Sequence, residues 1–285
     1  MLFRSELTDY QQFKTEIYLK VARNYLHHRW FITYLYGASP LSEKNFFEDE
    51  GLKKPVRSIR NSKYGYRNDD NVRVSYDSLQ KYIFDLSSLV KKGVLFDERE
   101  FYAPVRLRGT RLIKDLIHHG VQYIELRNID LNPFDIYGIS EEQVKFLHLF
   151  FLYLLWKDEG INKDEWVNIG DKYSEIVALE HPLEQTQFID KAFQIINEIE
   201  YLVEMLDLRI PNTLLTKVKK MVLEPHETLA GRLYLECEKS SQREVAVQIA
   251  KENYNKVWDE LTKLSNEGTP YALLFRSVLQ GKKLL

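Results

Sequence analysis

The stretch Tyr123-Ile124-Glu125-Leu126-Arg127 alternates strictly between polar and apolar residues. A period of two marks a β-strand, so Tyr123, Glu125 and Arg127 are expected on one face and Ile124 and Leu126 on the other. Upstream, Phe101 to Leu107 carries a similar alternation, and Arg111 to His118 reads as a short helix closed by the Gly120 break. Without a regular βαβ rhythm, these strands are expected to pair antiparallel, which makes the chain α+β. Val72 to Val74 adds a further strand-like run.

Working outward, helical spacing takes over. Tyr18, Val21, Ala22, Tyr25, Trp30 and Tyr34 predict a helix over Asp9 to Tyr36, ended by Gly37 and Pro40. Leu79, Tyr82, Ile83, Leu86, Leu89 and Val90 predict a second, over Tyr76 to Lys92, with Ser75 as its N-cap and Gly93 as its terminator. From Ser140 on, nearly everything reads as helix. Ser140-Glu141-Glu142-Gln143 is a capping box, and the helix behind it, to about Asp158, is apolar on nearly all sides and expected to be buried. Further helices are expected at 162–180, 184–207, 212–223, 227–238, 241–264 and 269–280. The chain therefore divides into a mixed region, 1–138, and a mostly helical region, 139–285, packed on it.

Composition narrows the function. Of the 285 residues, 44% are apolar and 29% charged, which excludes a disordered chain. Forty basic residues against 42 acidic give a net charge of −2, so no global field draws the protein to nucleic acid or to an anionic membrane. The single cysteine, Cys237, makes no internal disulfide and suggests a reducing, cytoplasmic setting; in a helix it reads as a packing residue. The opening residues lack the apolar core of a signal peptide, and the greasiest run, Phe146 to Trp156, is too short to span a membrane.

Four groups of residues could carry chemistry. Glu125 and Arg127, on one strand face, could hold a metal ion beside a phosphate; taken alone, the motif favours a surface ion pair worth under about 1 kcal/mol. Arg106, Arg108 and Arg111 precede or flank a glycine turn and suit an anionic ligand, or alternatively a solvated edge strand. The run from Pro55 to Asn68 interleaves basic and aromatic residues without periodicity, as ligand loops do. An RNA-binding role through Arg57, Arg60 and Arg67 is conceivable there, but Asp69-Asp70 and the neutral charge oppose it. The pairs His27-His28 and His118-His119 lack the i,i+4 spacing of a helical metal chelate.

These motifs, taken in order, resemble the bacterial glutamate–cysteine ligases. The resemblance runs through Val21 to Tyr25, Arg29 to Pro40, Ser58-Ile59-Arg60-Asn61-Ser62 with Gly65-Tyr66, Glu100 to Arg106, and Tyr123 to Arg127 continuing to Asp130, Asn132, Pro133 and Phe134. The wording is nearest the Gram-positive type found in bifunctional glutathione biosynthesis proteins. It is sharp to about residue 150 and thin beyond. The resemblance implies part of a glutamine-synthetase-like catalytic fold. It also implies ligation of the glutamate γ-carboxylate to the amine of cysteine through a γ-glutamyl phosphate, with ATP and Mg2+.

Carried over by residue, the resemblance makes Glu125 a magnesium ligand and Arg127 the contact to the transferring phosphate. It makes Arg60, Tyr66 and Tyr102 the holders of the cysteine carboxylate, and Arg106 the residue facing the nucleotide. Family members also carry an acidic N-terminal strand motif that supplies most metal-binding glutamates, and this sequence opens past it. A separate or fused N-terminal catalytic part and a glutathione synthetase module are therefore the expected partners, and little ligase activity is expected of the chain alone. The competing reading is a truncated, catalytically incompetent remnant acting as a binding or scaffold module.

Overall fold

The computed structural model describes residues 8–43, 46–47, 52–65, 68 and 71–266. Its first helix, α1 (Asp9–Tyr36), starts from a capping box in which the Thr8 hydroxyl accepts the Gln11 N–H and Gln11 Oε1 accepts the Thr8 N–H. From Val21 to Gly37 every residue except Arg29 is buried, so α1 is the axle of the molecule rather than a surface helix. A helix buried all round must satisfy its own polar side chains. Arg23 does so by gripping Glu159 with Nε and Nη2 at 2.5 and 2.8 Å and the Tyr76 carbonyl at 2.9 Å. Asn24 donates to the carbonyls of Leu154 and Lys157 at 2.9 and 2.8 Å and accepts from the Trp166 indole at 3.0 Å.

Helices α2 (Leu79–Lys91), α3 (Leu116–His119), α4 (Glu141–Trp156), α5 (Lys163–Leu179), α6 (Ile189–Met205), α7 (Asn212–Leu223), α8 (Leu229–Lys239) and α9 (Gln242–Asn266) complete the helical part. The most extensive packing is α5 on α1, with α4 on another side. Strands β1 (Val105–Arg108) and β2 (Tyr123–Leu126) pair antiparallel, with Val105 opposite Leu126, Arg106 opposite Glu125, Leu107 opposite Ile124 and Arg108 opposite Tyr123. Val105 and Leu107 turn fully into the core beside α1 and leave the arginines on the other face. Gly120, at φ 67°, makes the turn from α3 into β2 that a side chain would resist.

The α+β reading with an antiparallel sheet holds, and the sheet is small. Val72–Val74 joins no ladder, and β1 begins only after Pro104, which has no N–H to give. The second helix starts at Leu79 with Ser78 as N-cap, because Ser75 is committed elsewhere: its N–H goes to Asp85 at 3.0 Å and its hydroxyl to Asp164 at 2.5 Å. The helix expected over 184–207 starts at Ile189, since Glu184 to Phe188 belong to a turn hung on Glu180 and Arg57. The capping box at Ser140 and Gln143 is present, but Val144 and Trp156 are exposed, so α4 is not buried on all sides. The helix expected over 269–280 lies outside the described residues.

Candidate active site

Alternation along β2 puts Glu125 on the polar face, opposite Arg106 and diagonal to Arg108. Arg108 Nε donates to Glu125 Oε2 at 2.7 Å, and Arg127 Nε lies 3.8 Å from Glu125 Oε1. Partial burial alone would raise the Glu125 pKa. The hydrogen bond and charge of Arg108, with the charges of Arg127 and Arg106, outweigh it and hold this carboxyl below the ordinary range. Three guanidinium groups thus surround one carboxylate, and the face carries a net positive charge.

That face has unspent donors. Arg106 is 4% exposed and gives one N–H to the Glu98 carbonyl at 2.6 Å, but its Nε finds no partner among the described residues. Arg127 Nη1 is likewise buried without a partner. Burial and its like-charged neighbours Arg108 and Arg127 push the Arg106 pKa down. Buried guanidinium N–H groups without acceptors are costly unless a ligand completes them, and phosphate or carboxylate oxygens are the natural complement.

Arg127 lies just past β2, fixed by its N–H to the Pro104 carbonyl at 2.9 Å, with its guanidinium 5.4 Å from the centre of the Tyr102 ring. Tyr102 is clamped by Asn68, which accepts the Tyr102 N–H at 2.8 Å and donates to its carbonyl at 2.6 Å. Arg60 donates to the Ile129 carbonyl at 2.6 Å and to the Arg127 carbonyl, while its side chain remains half exposed. Arg60, Tyr102, Arg106, Glu125 and Arg127 therefore form one contiguous patch. Tyr66 lies outside the described residues.

The Arg60 loop is anchored from below. The carbonyl of Ala178, near the end of α5, accepts the N–H groups of Arg57 and Ser58 at 3.0 and 3.2 Å. Arg57 is fully buried, with Nε 3.3 Å from Glu180 and its guanidinium 4.1 Å from the Tyr34 ring centre. It is a strut, not the nucleic-acid contact considered from sequence. His27 is structural too: its ring stacks on Trp166 at 3.4 Å and 2°. Sequence reasoning placed Asp130 in the motif after β2 but gave it no role, and did not single out Asn68 or the Arg108–Glu125 pairing. Arg108, two residues from Arg106 on a strand, carried a readable signal.

The result is a cationic strand face around one carboxylate, bordered by a loop arginine and a tyrosine, with donors suited to anionic groups. The glutamate–cysteine ligase family model matches residues 2–94 and 89–176. The chain is 49% identical over 244 residues to the glutathione biosynthesis bifunctional protein of Enterococcus faecalis, covering 85% of this chain and 32% of that one. It is 40% identical over 286 residues to that of Streptococcus mutans, covering 97% and 38%. Among solved structures, a bifunctional glutathione synthetase from Pasteurella multocida superposes with a TM-score of 0.82 at 33% identity, over 98% of this chain and 38% of the other. A glutamate–cysteine ligase from Francisella tularensis, solved in complex with AMP, shares the fold with a TM-score of 0.70 at 21% identity, over 85% and 58%. The chain belongs to the glutamate–cysteine ligase family, and it spans 32% and 38% of the length of the two bifunctional relatives.

Proposed function

We propose that the patch works in ATP-dependent ligation of the glutamate γ-carboxylate to the amine of cysteine, through a γ-glutamyl phosphate, as the first step of glutathione biosynthesis. The observation that carries this is the pair of buried, unpartnered guanidinium N–H groups, Arg106 Nε and Arg127 Nη1, beside an ionised Glu125. Phosphoryl transfer asks little covalent chemistry of the protein; it asks for positive charge fixed where charge builds up. In this reading Arg127 meets the transferring phosphoryl and Arg106 the nucleotide. Arg60 and Tyr102, with Tyr66, hold the cysteine carboxylate so that the amine approaches the acyl phosphate carbon.

Magnesium is usually held by one or two carboxylates together with substrate phosphates and water. Glu125 would supply the carboxylate, and the ion when bound would neutralise phosphate charge. For that, Glu125 would have to be free of Arg108, its partner here at 2.7 Å.

We take residues 1–138 as the catalytic portion, 139–285 as its helical support, and the cytoplasm as the setting. Among the described residues no helix is long and apolar enough to cross a membrane. The rest of the ligase region and a glutathione synthetase module are the partners this reading assigns.

Isothermal titration with Mg–ATP and with cysteine tests the assignment. Arg127→Ala is expected to weaken nucleotide binding and leave cysteine unchanged, and Arg60→Ala to do the reverse. A folded chain that binds neither ligand would instead be a non-catalytic module.

A further inference from the structure

Asp130 has no part in the reading above, yet its carboxylate accepts four hydrogen bonds. It is 6% exposed and follows β2 by four residues. Its Oδ2 accepts the Ala38 N–H at 2.8 Å, the Ser58 hydroxyl at 2.8 Å and the Ser39 hydroxyl at 3.2 Å. Its Oδ1 accepts from Asn61 Nδ2 at 3.4 Å and lies 3.9 Å from Arg60 Nη1. The donors come from two separate segments, the turn after α1 and the Arg60 loop, and the acceptor from the segment that leaves β2 through Arg127.

The direction of these bonds matters. The Ser39 and Ser58 hydroxyls both donate to Asp130 Oδ2. Their lone pairs are then turned outward. Ser39 Oγ accepts the Arg60 backbone N–H at 3.4 Å, and Ser58 Oγ accepts the Asn61 backbone N–H at 3.1 Å and its amide at 2.9 Å. Two relays thus run from Asp130 through a serine to the backbone of Arg60 and Asn61. Arg60 closes the circuit by donating to the carbonyls on either side of Asn128.

We propose that Asp130 is the positioning residue of the acceptor side of the site. Through the two serine relays it fixes the Arg60 loop against the strand end, and so sets where the carboxylate of the amine acceptor sits relative to the phosphoryl-contacting Arg127. Arg127 itself is held by its N–H to the Pro104 carbonyl, which is not part of the relays. The inference rests on the acceptor role assigned to Arg60.

The test is Asp130→Asn in the 285-residue chain, a near-isosteric change that puts a donor where only an acceptor works. Ser39→Ala is the second variant and removes the Arg60 relay alone. Backbone hydrogen exchange at Arg60 and Asn61 in Asp130→Asn, and at Arg60 alone in Ser39→Ala, is expected to quicken about tenfold, the size of roughly one net hydrogen bond. In both variants exchange at Tyr25 and Phe31 in α1 stays within about twofold. By titration, cysteine affinity falls about tenfold while Mg–ATP affinity holds within about twofold. Unchanged loop exchange overturns the proposal. So does faster exchange spread evenly through α1, or a parallel loss of both ligands, since either marks a merely structural residue. If the parent chain does not bind cysteine, the acceptor assignment fails, and the exchange pattern alone still decides whether Asp130 holds the loop.

Discussion

Gly170 sits where α5 crosses α1, and replacing it with alanine would test how the site is supported. An added Cβ would lie 2.2 Å from His27 Cα, 2.4 Å from the Leu26 carbonyl oxygen and 2.9 Å from the His27 carbonyl carbon. Carbon atoms settle about 3.5–4.0 Å apart, so α5 must retreat by about 1.5 Å along that contact. The obstacle is backbone, which cannot swing aside, and overpacking of this kind costs about 3 kcal/mol or more. Alanine returns about 1 kcal/mol through its helix preference over glycine. The net expectation is a loss of about 2–3 kcal/mol, seen as a lower urea midpoint followed by tryptophan fluorescence. Trp166, stacked on His27 at 3.4 Å, reports on the same interface. Retreat of α5 also carries away the Ala178 carbonyl that anchors Arg57 and Ser58, so the Arg60 loop should loosen with it. An unchanged or raised midpoint, as alanine gives at an exposed helical glycine, would refute the reasoning.

The buried histidines set an acid limit. Desolvation lowers the His27 pKa to about 4 and the His28 pKa to about 3, with like-charge repulsion between His27 and His28 adding to the second. The unfolded state therefore binds more protons between these values and about 6.5, so their contribution is whole above pH 6.5 and is lost as pH falls towards 4. Urea midpoints should drop across that window, and His28→Gln should flatten the slope; an identical slope in the variant would remove the histidines as the cause. Arg57→Ala leaves the buried Glu180 carboxylate without its cation and should cost about 3–5 kcal/mol. An Arg57→Met, Glu180→Gln double variant should recover part of that in the same urea titration, and a double variant no better than the single would show that charge burial is not the reason. Glu125→Gln should strip ATP binding of its magnesium dependence while leaving the arginines in place; titration with and without the ion shows whether that dependence survives, which it should not.

The strongly periodic parts of the fold were legible in the sequence, and the parts governed by distant partners were not. The α1 helix, the alternating Tyr123–Arg127 strand and the Ser140 capping box each follow from residues within a few positions of one another. The start of α2 was misplaced because Ser75 and Tyr76 look like helix, while their side chains reach Asp164 and the Val105 carbonyl. Val72–Val74 has β-branched residues and, among the described residues, no strand to pair with. In the site, Glu125 and Arg127 could be put on one face by counting, and the structure brings Arg60, Tyr102 and Arg106 to the same patch. Asp130 could not be found that way. Its partners are Ala38, Ser39, Ser58 and Asn61, each about 70 or more positions away, and nothing local marks a carboxylate as a hub.

The most direct measurement is formation of γ-glutamylcysteine and ADP from glutamate, cysteine and Mg–ATP, by this chain mixed with the remaining ligase region of a bifunctional relative. We expect product in the mixture, abolished by Arg127→Ala and restored towards the parent level by raised cysteine in Arg60→Lys. No product from a mixture in which the chain is shown to be folded and bound to its complement would contradict the assignment of this patch as the ligation site.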